Sequence, residues 1–250
     1  MKKYIIVAIL CIPIAAFGWG IGLIGSGGGS ADTGFCSGTF LFCADFETQD
    51  MITWDTTPAT EDTTGTPPWD AQGDWSDYIN YTPCPLIGNY SAYIMGARGD
   101  VLGKIFSEQS EFYLEMTIRT TEVGTIRWMN LVDGASYIIF RVSANVIDVY
   151  NFAVTTSTDM DPNVNNHFGL YFKAETDSGS NNGTFQMWLN TDGSDFDAGD
   201  LIWNENGDKD TYDFVFDQVQ FVGGEQETDT EINFFDNIKV ISGACPWPTS

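Results

Sequence analysis

Three carboxylates at alternate positions, Glu227, Asp229 and Glu231, form the one spacing in this chain with a direct catalytic use. On an extended strand, residues i, i+2 and i+4 share a face. A retaining glycosidase needs two carboxyl groups about 5–5.5 Å apart, one as nucleophile and one as acid/base. The context argues the other way. Thr228 and Thr230 stand between the carboxylates where a core strand would carry apolar residues, Gly223-Gly224 precedes them, and an apolar strand follows at once. The expectation is an acidic turn, with polysaccharide cleavage as the alternative.

A second set of oxygens suits a hard cation. Calcium takes six to eight oxygen ligands from carboxylates, amides and backbone carbonyls. Asp45 and Glu47 near one end of the chain, and Asp236 and Asn237 near the other, would supply them if the two segments met. Without a cation, Asp45 and Asp236 would satisfy backbone amides. Asn190–Asp197 is also rich in oxygen but lacks a calcium-loop pattern and reads as a turn.

Sugar rings ask for flat apolar surfaces beside hydrogen-bonding groups. Trp69, Trp75 and Tyr78, interleaved with Asp70, Asp74 and Asp77, provide that pairing in a long loop, although tryptophans there could equally cover an edge of the fold. The polar faces of the central strands provide a second surface, with Tyr113, Arg119, Arg141, Tyr171, Gln186 and Trp188, if those faces curve together.

Composition narrows the partners. With 35 Asp and Glu against 10 Lys and Arg, the formal net charge is -25. A phosphate backbone would be repelled, so nucleic acid is excluded as a partner. The start, Met1-Lys2-Lys3 followed by an apolar run to about Gly25, reads as an export signal or a membrane anchor. The Gly/Ser stretch after it is a linker, so residues 1–31 stand apart from one domain over residues 32–250. Membrane attachment would run through that segment only, and the protein is expected to be secreted, periplasmic or at the cell surface.

Four cysteines remain beyond it: Cys36, Cys43, Cys84 and Cys245. An even number in an exported chain suggests two disulfides. Three pairings are open. Antiparallel pairing of the end strands would bring Cys36 beside Cys245 and leave Cys43 to Cys84.

The elements that must position these residues are strands. Phe112, Leu114, Met116 and Ile118 alternate with Tyr113, Glu115, Thr117 and Arg119, the period of a half-buried strand. Residues 125–132, 137–142 and 146–152 follow as a meander, with a hairpin at Asp133-Gly134. Further strands are expected at 89–96, 168–174, 184–190, 201–204 and 213–222, with 48–88 as a long loop holding one or two short strands. The closing segment Ile232–Ile241 and the opening segment Thr39–Glu47 are both apolar and aromatic-rich, and we expect them to pair antiparallel. The fold class that results is an all-β, antiparallel two-sheet jelly-roll β-sandwich.

Phe42-Cys43-Ala44-Asp45-Phe46-Glu47 at one end, with Phe235-Asp236-Asn237-Ile238 and Cys245 at the other, resembles the concanavalin A-like jelly-roll superfamily. Within it the ends are most similar to laminin-G-like and MAM domains, with one residue more in the opening motif. Phe168–Lys173 and Phe185–Asn190 resemble a late hairpin of those domains. The resemblance implies a carbohydrate-binding or adhesion module with a structural calcium ion between the terminal strands. A glycan or cell-surface polysaccharide would be the partner. The Glu-x-Asp-x-Glu stretch resembles the catalytic strand of laminarinases and lichenases on the same fold, but lies late in the chain. Tyr171–Ala174 resembles a segment of alginate lyases, whose glutamine two residues before the histidine is Asn165 here, ahead of His167. A third reading is a structural surface protein with no small ligand.

Overall fold

The computed structural model describes residues 39–44, 70–72, 79–82, 86–87, 91–95, 101–120, 126–134, 136–143, 146–150, 154–206, 214–222 and 232–249. The chain divides into two compact units, Met1–Ser30 and Ala31–Ser250, and every described residue belongs to the second.

The described strands are β1 (Phe42–Ala44), β2 (Asp70–Gln72), β3 (Ile79–Thr82), β4 (Ser91–Met95), β5 (Val101–Gln109), β6 (Glu111–Thr120), β7 (Ile126–Asp133) and β8 (Ser136–Ser143). They continue as β9 (Val146–Val149), β10 (Val154–Asp159), β11 (Asn166–Lys173), β12 (Thr184–Asn190), β13 (Leu201–Asn206), β14 (Phe216–Val222) and β15 (Ile232–Ser242). They form two antiparallel sheets. The terminal-strand sheet runs β13-β12-β11-β6-β15-β4-β3 with β1 added on β15, and the facing sheet runs β10-β9-β8-β7-β14-β5-β2. Among the described residues helix is confined to 3-10 turns, one of them Ala198–Asp200. None of their helices is long and apolar enough to cross a membrane.

The first and last strands meet as expected. Phe42 lies opposite Val240, Cys43 opposite Lys239 and Ala44 opposite Ile238. On its other side β15 pairs with β6, and the register of that ladder slips between Asp236 and Lys239. The slip falls where β15 changes partner: residues 232–235 pair with β4 and residues 238–240 with β1. Asn237 takes a positive φ of 46° at this bulge, a conformation asparagine tolerates better than most residues.

Between the sheets the alternation resolves into one core. Phe112, Leu114, Met116 and Ile118 of β6 face Trp128, Met129 and Leu131 of β7 and Ile138, Phe140 and Val142 of β8 in a single buried cluster. Phe216 meets both Phe112 and Phe172 edge-on, at 5.9 and 4.7 Å between centroids, the arrangement aromatic quadrupoles favour. Gly134, with φ +53°, makes the tight turn of the β7–β8 hairpin, where Asp133 lies opposite Ser136.

Two strands depart from the sequence reading. Val101–Gln109 is a nine-residue strand that alternation did not reveal, because Lys104 is withdrawn from solvent while Ile105 is 48% exposed. Val154–Asp159, read as loop, forms the edge strand β10; its run of threonines suits a half-solvated edge.

Candidate functional site

The six residues expected to form one polar surface divide between the two sheets. Tyr113, Arg119, Tyr171, Gln186 and Trp188 lie on the outward face of the terminal-strand sheet, whereas Arg141 lies on β8 of the facing sheet. They cannot act as a single site.

Over β6, β11 and β12 the outward face of the terminal-strand sheet is covered. Tyr171, Trp188 and Phe196 form a second buried cluster, packed by Tyr113, Leu201, Cys245 and Trp247. Residues 243–249 cross this face as a strap, and the loop after β12 brings in Phe196. Trp188 is fully buried and its Nε1–H donates to the Pro248 carbonyl at 3.2 Å. The Tyr171 hydroxyl donates to Glu111 Oε1 at 2.7 Å, and burial together with that carboxylate pushes its pKa up. Arg119 lies over the Phe234 ring, 4.7 Å from its centroid. Tyr171 and Trp188, expected to face a ligand, are instead packing residues beneath the chain's own C-terminal segment.

That segment also corrects a disulfide. Cys245 carries a free thiol, so the expected Cys36–Cys245 bridge is not formed. The thiol points into the covered face, where burial raises its pKa to about 11, and it accepts the Trp247 amide at 3.4 Å. Cys43 is disulfide-bonded, and its partner lies outside the described residues, as do Cys36 and Cys84.

Asp236 occupies the gap on β15 between β4 and β1. Its side chain is fully buried and its oxygens accept from Ile87 N at 3.0 Å, Ser91 Oγ at 2.8 Å and Asn237 N at 2.8 Å. A buried carboxylate is tolerable when charge-assisted hydrogen bonds of this kind replace water. These donors come from the 86–87 segment, the start of β4 and the bulge itself, so the carboxylate ties the three together. Asp45 and Glu47 lie outside the described residues. Among the described residues no group of three or more His, Cys, Asp and Glu could hold a metal ion.

The facing sheet presents a different surface. Because Trp128, Leu131, Ile138, Phe140, Val219 and Phe221 point inward, Asn130, Arg141, Gln218 and Gln220 point outward. Their polar groups form a continuous chain. Arg127 Nε donates to Asn130 Oδ1 at 2.7 Å, Asn130 Nδ2 to Gln220 Oε1 at 3.0 Å, and Gln220 Nε2 to Gln218 Oε1 at 3.0 Å. Asn130 is fully buried and acts as the junction that orients its neighbours. Beside this chain Arg141 pairs with Asp148 through two N–H groups and lies over the Tyr150 ring, 4.5 Å from its centroid. Tyr150 is 59% exposed and Tyr137, on the adjoining strand, 39%. Flat rings beside fixed amides and an ion pair are the combination a sugar needs. Sequence reasoning picked out Arg141 on this face; the rest was hidden because Tyr137 and Tyr150 sit in a meander whose polar positions look like ordinary solvated ones.

Of the other expected binding and catalytic residues, Trp69, Trp75, Tyr78, Glu227, Asp229 and Glu231 lie outside the described residues. Trp69 directly precedes β2, which forms the end of the facing sheet beyond β5.

These features define an all-β, two-sheet antiparallel sandwich of jelly-roll type. No protein-family model matches the chain, and no curated protein matches it. Solved structures do. A botulinum neurotoxin type G receptor-binding domain aligns with a TM-score of 0.52 and 11% identity, over 83% of this chain and 49% of that one. The binding domain of Paraclostridial mosquitocidal protein 1 aligns with a TM-score of 0.55 and 8% identity, over 82% of this chain and 49% of that one. The chain thus spans about half the length of these binding domains. The catalytic domain of a GH131 beta-glucanase from Podospora anserina aligns over 83% of this chain and 98% of that one, at 13% identity and a TM-score of 0.48 that carries no functional argument. At these identities the likeness shows the fold alone.

Proposed function

We propose that the protein is an exported carbohydrate-binding or adhesion module of concanavalin A-like type, and that it takes its glycan on the outward face of the facing sheet. The observation that carries this reading is the exposed Tyr150 ring over the Arg141–Asp148 pair, braced from beneath by the buried chain through Asn130 and Gln220 that links Arg127 to Gln218. Groups already locked by each other lose little freedom when a ligand binds. An exposed tyrosine offers a ring for the C–H face of a pyranose, and the guanidinium and carboxylate offer donors and acceptors for hydroxyls. On the terminal-strand sheet, by contrast, Tyr171 and Trp188 are covered.

A structural calcium ion belongs to the same proposal, held by Asp236 or Asn237 with Asp45 or Glu47. The pairing of Ala44 with Ile238 supports it, because Asp45 follows Ala44 directly. The second disulfide, Cys43–Cys84, is likewise proposed. Hydrolysis with Glu227, Asp229 and Glu231 has no described residue in its favour.

A glycan array probed with the full chain, with Tyr150→Ala and with Trp69→Ala tests the assignment. Loss of signal in the Tyr150 variant places the ligand on the sheet face. Loss in the Trp69 variant alone would move it to the long loop and overturn the reading.

A further inference from the structure

The strap that covers the terminal-strand sheet is seated in a way that simple core packing does not require. Trp247 meets three rings edge-on: Phe196 at 4.8 Å, Trp188 at 5.1 Å and Tyr113 at 5.4 Å between centroids. Below it lies Gly169, flanked across the sheet by Glu115 and Trp188. A Cβ on Gly169 would stand 2.7 Å from Phe196 Cε2 and 2.8 Å from Trp247 Cζ3, so the missing side chain makes the floor of a seat for these two rings. Phe196 is itself held by stacking on His167, at 4.2 Å between centroids and 21° between planes. The walls thus belong to the sheet and its loop, and the tryptophan belongs to the tail.

Among the described residues two hydrogen bonds tie residues 243–249 to the sheet. Gly243, with φ +103° and nothing near its missing Cβ, forms the joint after β15. Its amide donates to the Glu111 carbonyl at 3.1 Å, and the Trp188 indole donates to the Pro248 carbonyl. Pro246 and Pro248 have no amide hydrogen, so Pro-Trp-Pro cannot extend the sheet as a strand. It docks by one inserted ring and one accepted hydrogen bond, in the manner of a bound proline-rich peptide.

We propose that Tyr113, Trp188, Phe196 and Gly169 form a binding site for a proline-flanked tryptophan. Residues 244–249 are its ligand within the chain, and the site, once vacated, takes the same motif supplied by a separate peptide. The aromatic walls hold the indole, the Gly169 floor sets how deeply it enters, and Trp188 Nε1–H reads the carbonyl of the following proline. This site lies on the opposite sheet from the proposed glycan face and does not depend on it.

The test uses the full chain carrying Trp247→Ala, the chain ending at Ser242, and a synthetic peptide of residues 243–250 with Cys245→Ser. The peptide should bind both proteins saturably by calorimetry and leave the unaltered chain unbound. A peptide with Trp247→Ala should bind about tenfold more weakly or worse. In the full chain, Gly169→Ala should displace the strap and speed maleimide labelling of Cys245, mapped by mass spectrometry, by about tenfold or more. If the Trp247→Ala chain keeps native circular dichroism yet fails to bind the peptide, the seat is only a packed surface and the proposal is wrong. Unchanged Cys245 labelling in Gly169→Ala would equally overturn it.

Discussion

Ser91 Oγ lies 2.8 Å from Asp236 Oδ2, with both side chains wholly withdrawn from solvent. The same hydroxyl accepts the Leu86 amide at 2.7 Å. One serine therefore links the 86–87 segment, β4 and the bulge of β15. Replacing it leaves a buried carboxylate oxygen and a buried amide each short of a partner. Ser91→Ala should cost about 1–3 kcal/mol in urea unfolding, and Asp236→Ala should cost more because it strands three donors. A loss below about 0.5 kcal/mol for either would show that the junction does not hold the sheet together.

Calcium at this junction makes a separate claim. An ion that binds only the folded chain stabilises it by about 2.7 kcal/mol at a hundredfold excess over its Kd. The melting temperature should rise with calcium and fall with chelator, Asp236→Ala should abolish most of that response, and Asp195→Ala should leave it intact. A melting temperature indifferent to chelator would leave Asp236 as a hydrogen-bonded strand residue without a metal.

His167 gives a pH dependence whose sign follows from its surroundings. Burial lowers its pKa below the ordinary 6.5, against the opposing pull of Glu115, a hydrogen bond with the Ser194 carbonyl, and Asp195 and Asp200. The unfolded chain then takes up the proton before the folded one does, so the stability tied to neutral His167 is present above about pH 6.5 and is lost as pH falls below it. His167→Phe keeps a ring against Phe196 but cannot titrate. Between about pH 5 and 7 the variant should show a shallower fall in stability than the unaltered chain. Identical slopes would contradict the assignment.

The sandwich was legible in the sequence because its strands alternate cleanly where one face is buried. Phe112–Ile118 faces the core as its pattern requires, and the aromatic end segments pair in the expected antiparallel sense. What stayed hidden has a physical cause in each case. In β5 a lysine is buried and an isoleucine exposed, which inverts the usual signal. Trp188 and Tyr171 occupy outward positions on their strands, and alternation assigns such positions to solvent. Only the tertiary course of residues 243–249, five of them Gly, Ala, Cys or Pro, covers them. The same strap holds Cys245 away from a disulfide that the strand register alone favours. On the facing sheet, the distinction between ordinary polar positions and an ordered chain of amides rests on cross-strand pairs such as Asn130 with Gln220, which sequence spacing does not encode.

The central claim is that Tyr150 and the Arg141–Asp148 pair contact a sugar. The most direct check is calorimetric titration of the strongest array ligand into the full chain, Tyr150→Ala and Asp148→Asn, with melting temperatures measured alongside. Tyr150 is exposed, so its substitution should change stability by about 1 kcal/mol at most, whereas the ion pair keeps only about a fifth of its side-chain surface in solvent, so Asp148→Asn should cost about 1–3 kcal/mol without unfolding the chain. Affinity should nevertheless fall about tenfold or more in each, while Glu227→Gln leaves it unchanged. Unaltered affinity in both Tyr150→Ala and Asp148→Asn would contradict the account and remove the facing sheet as the site.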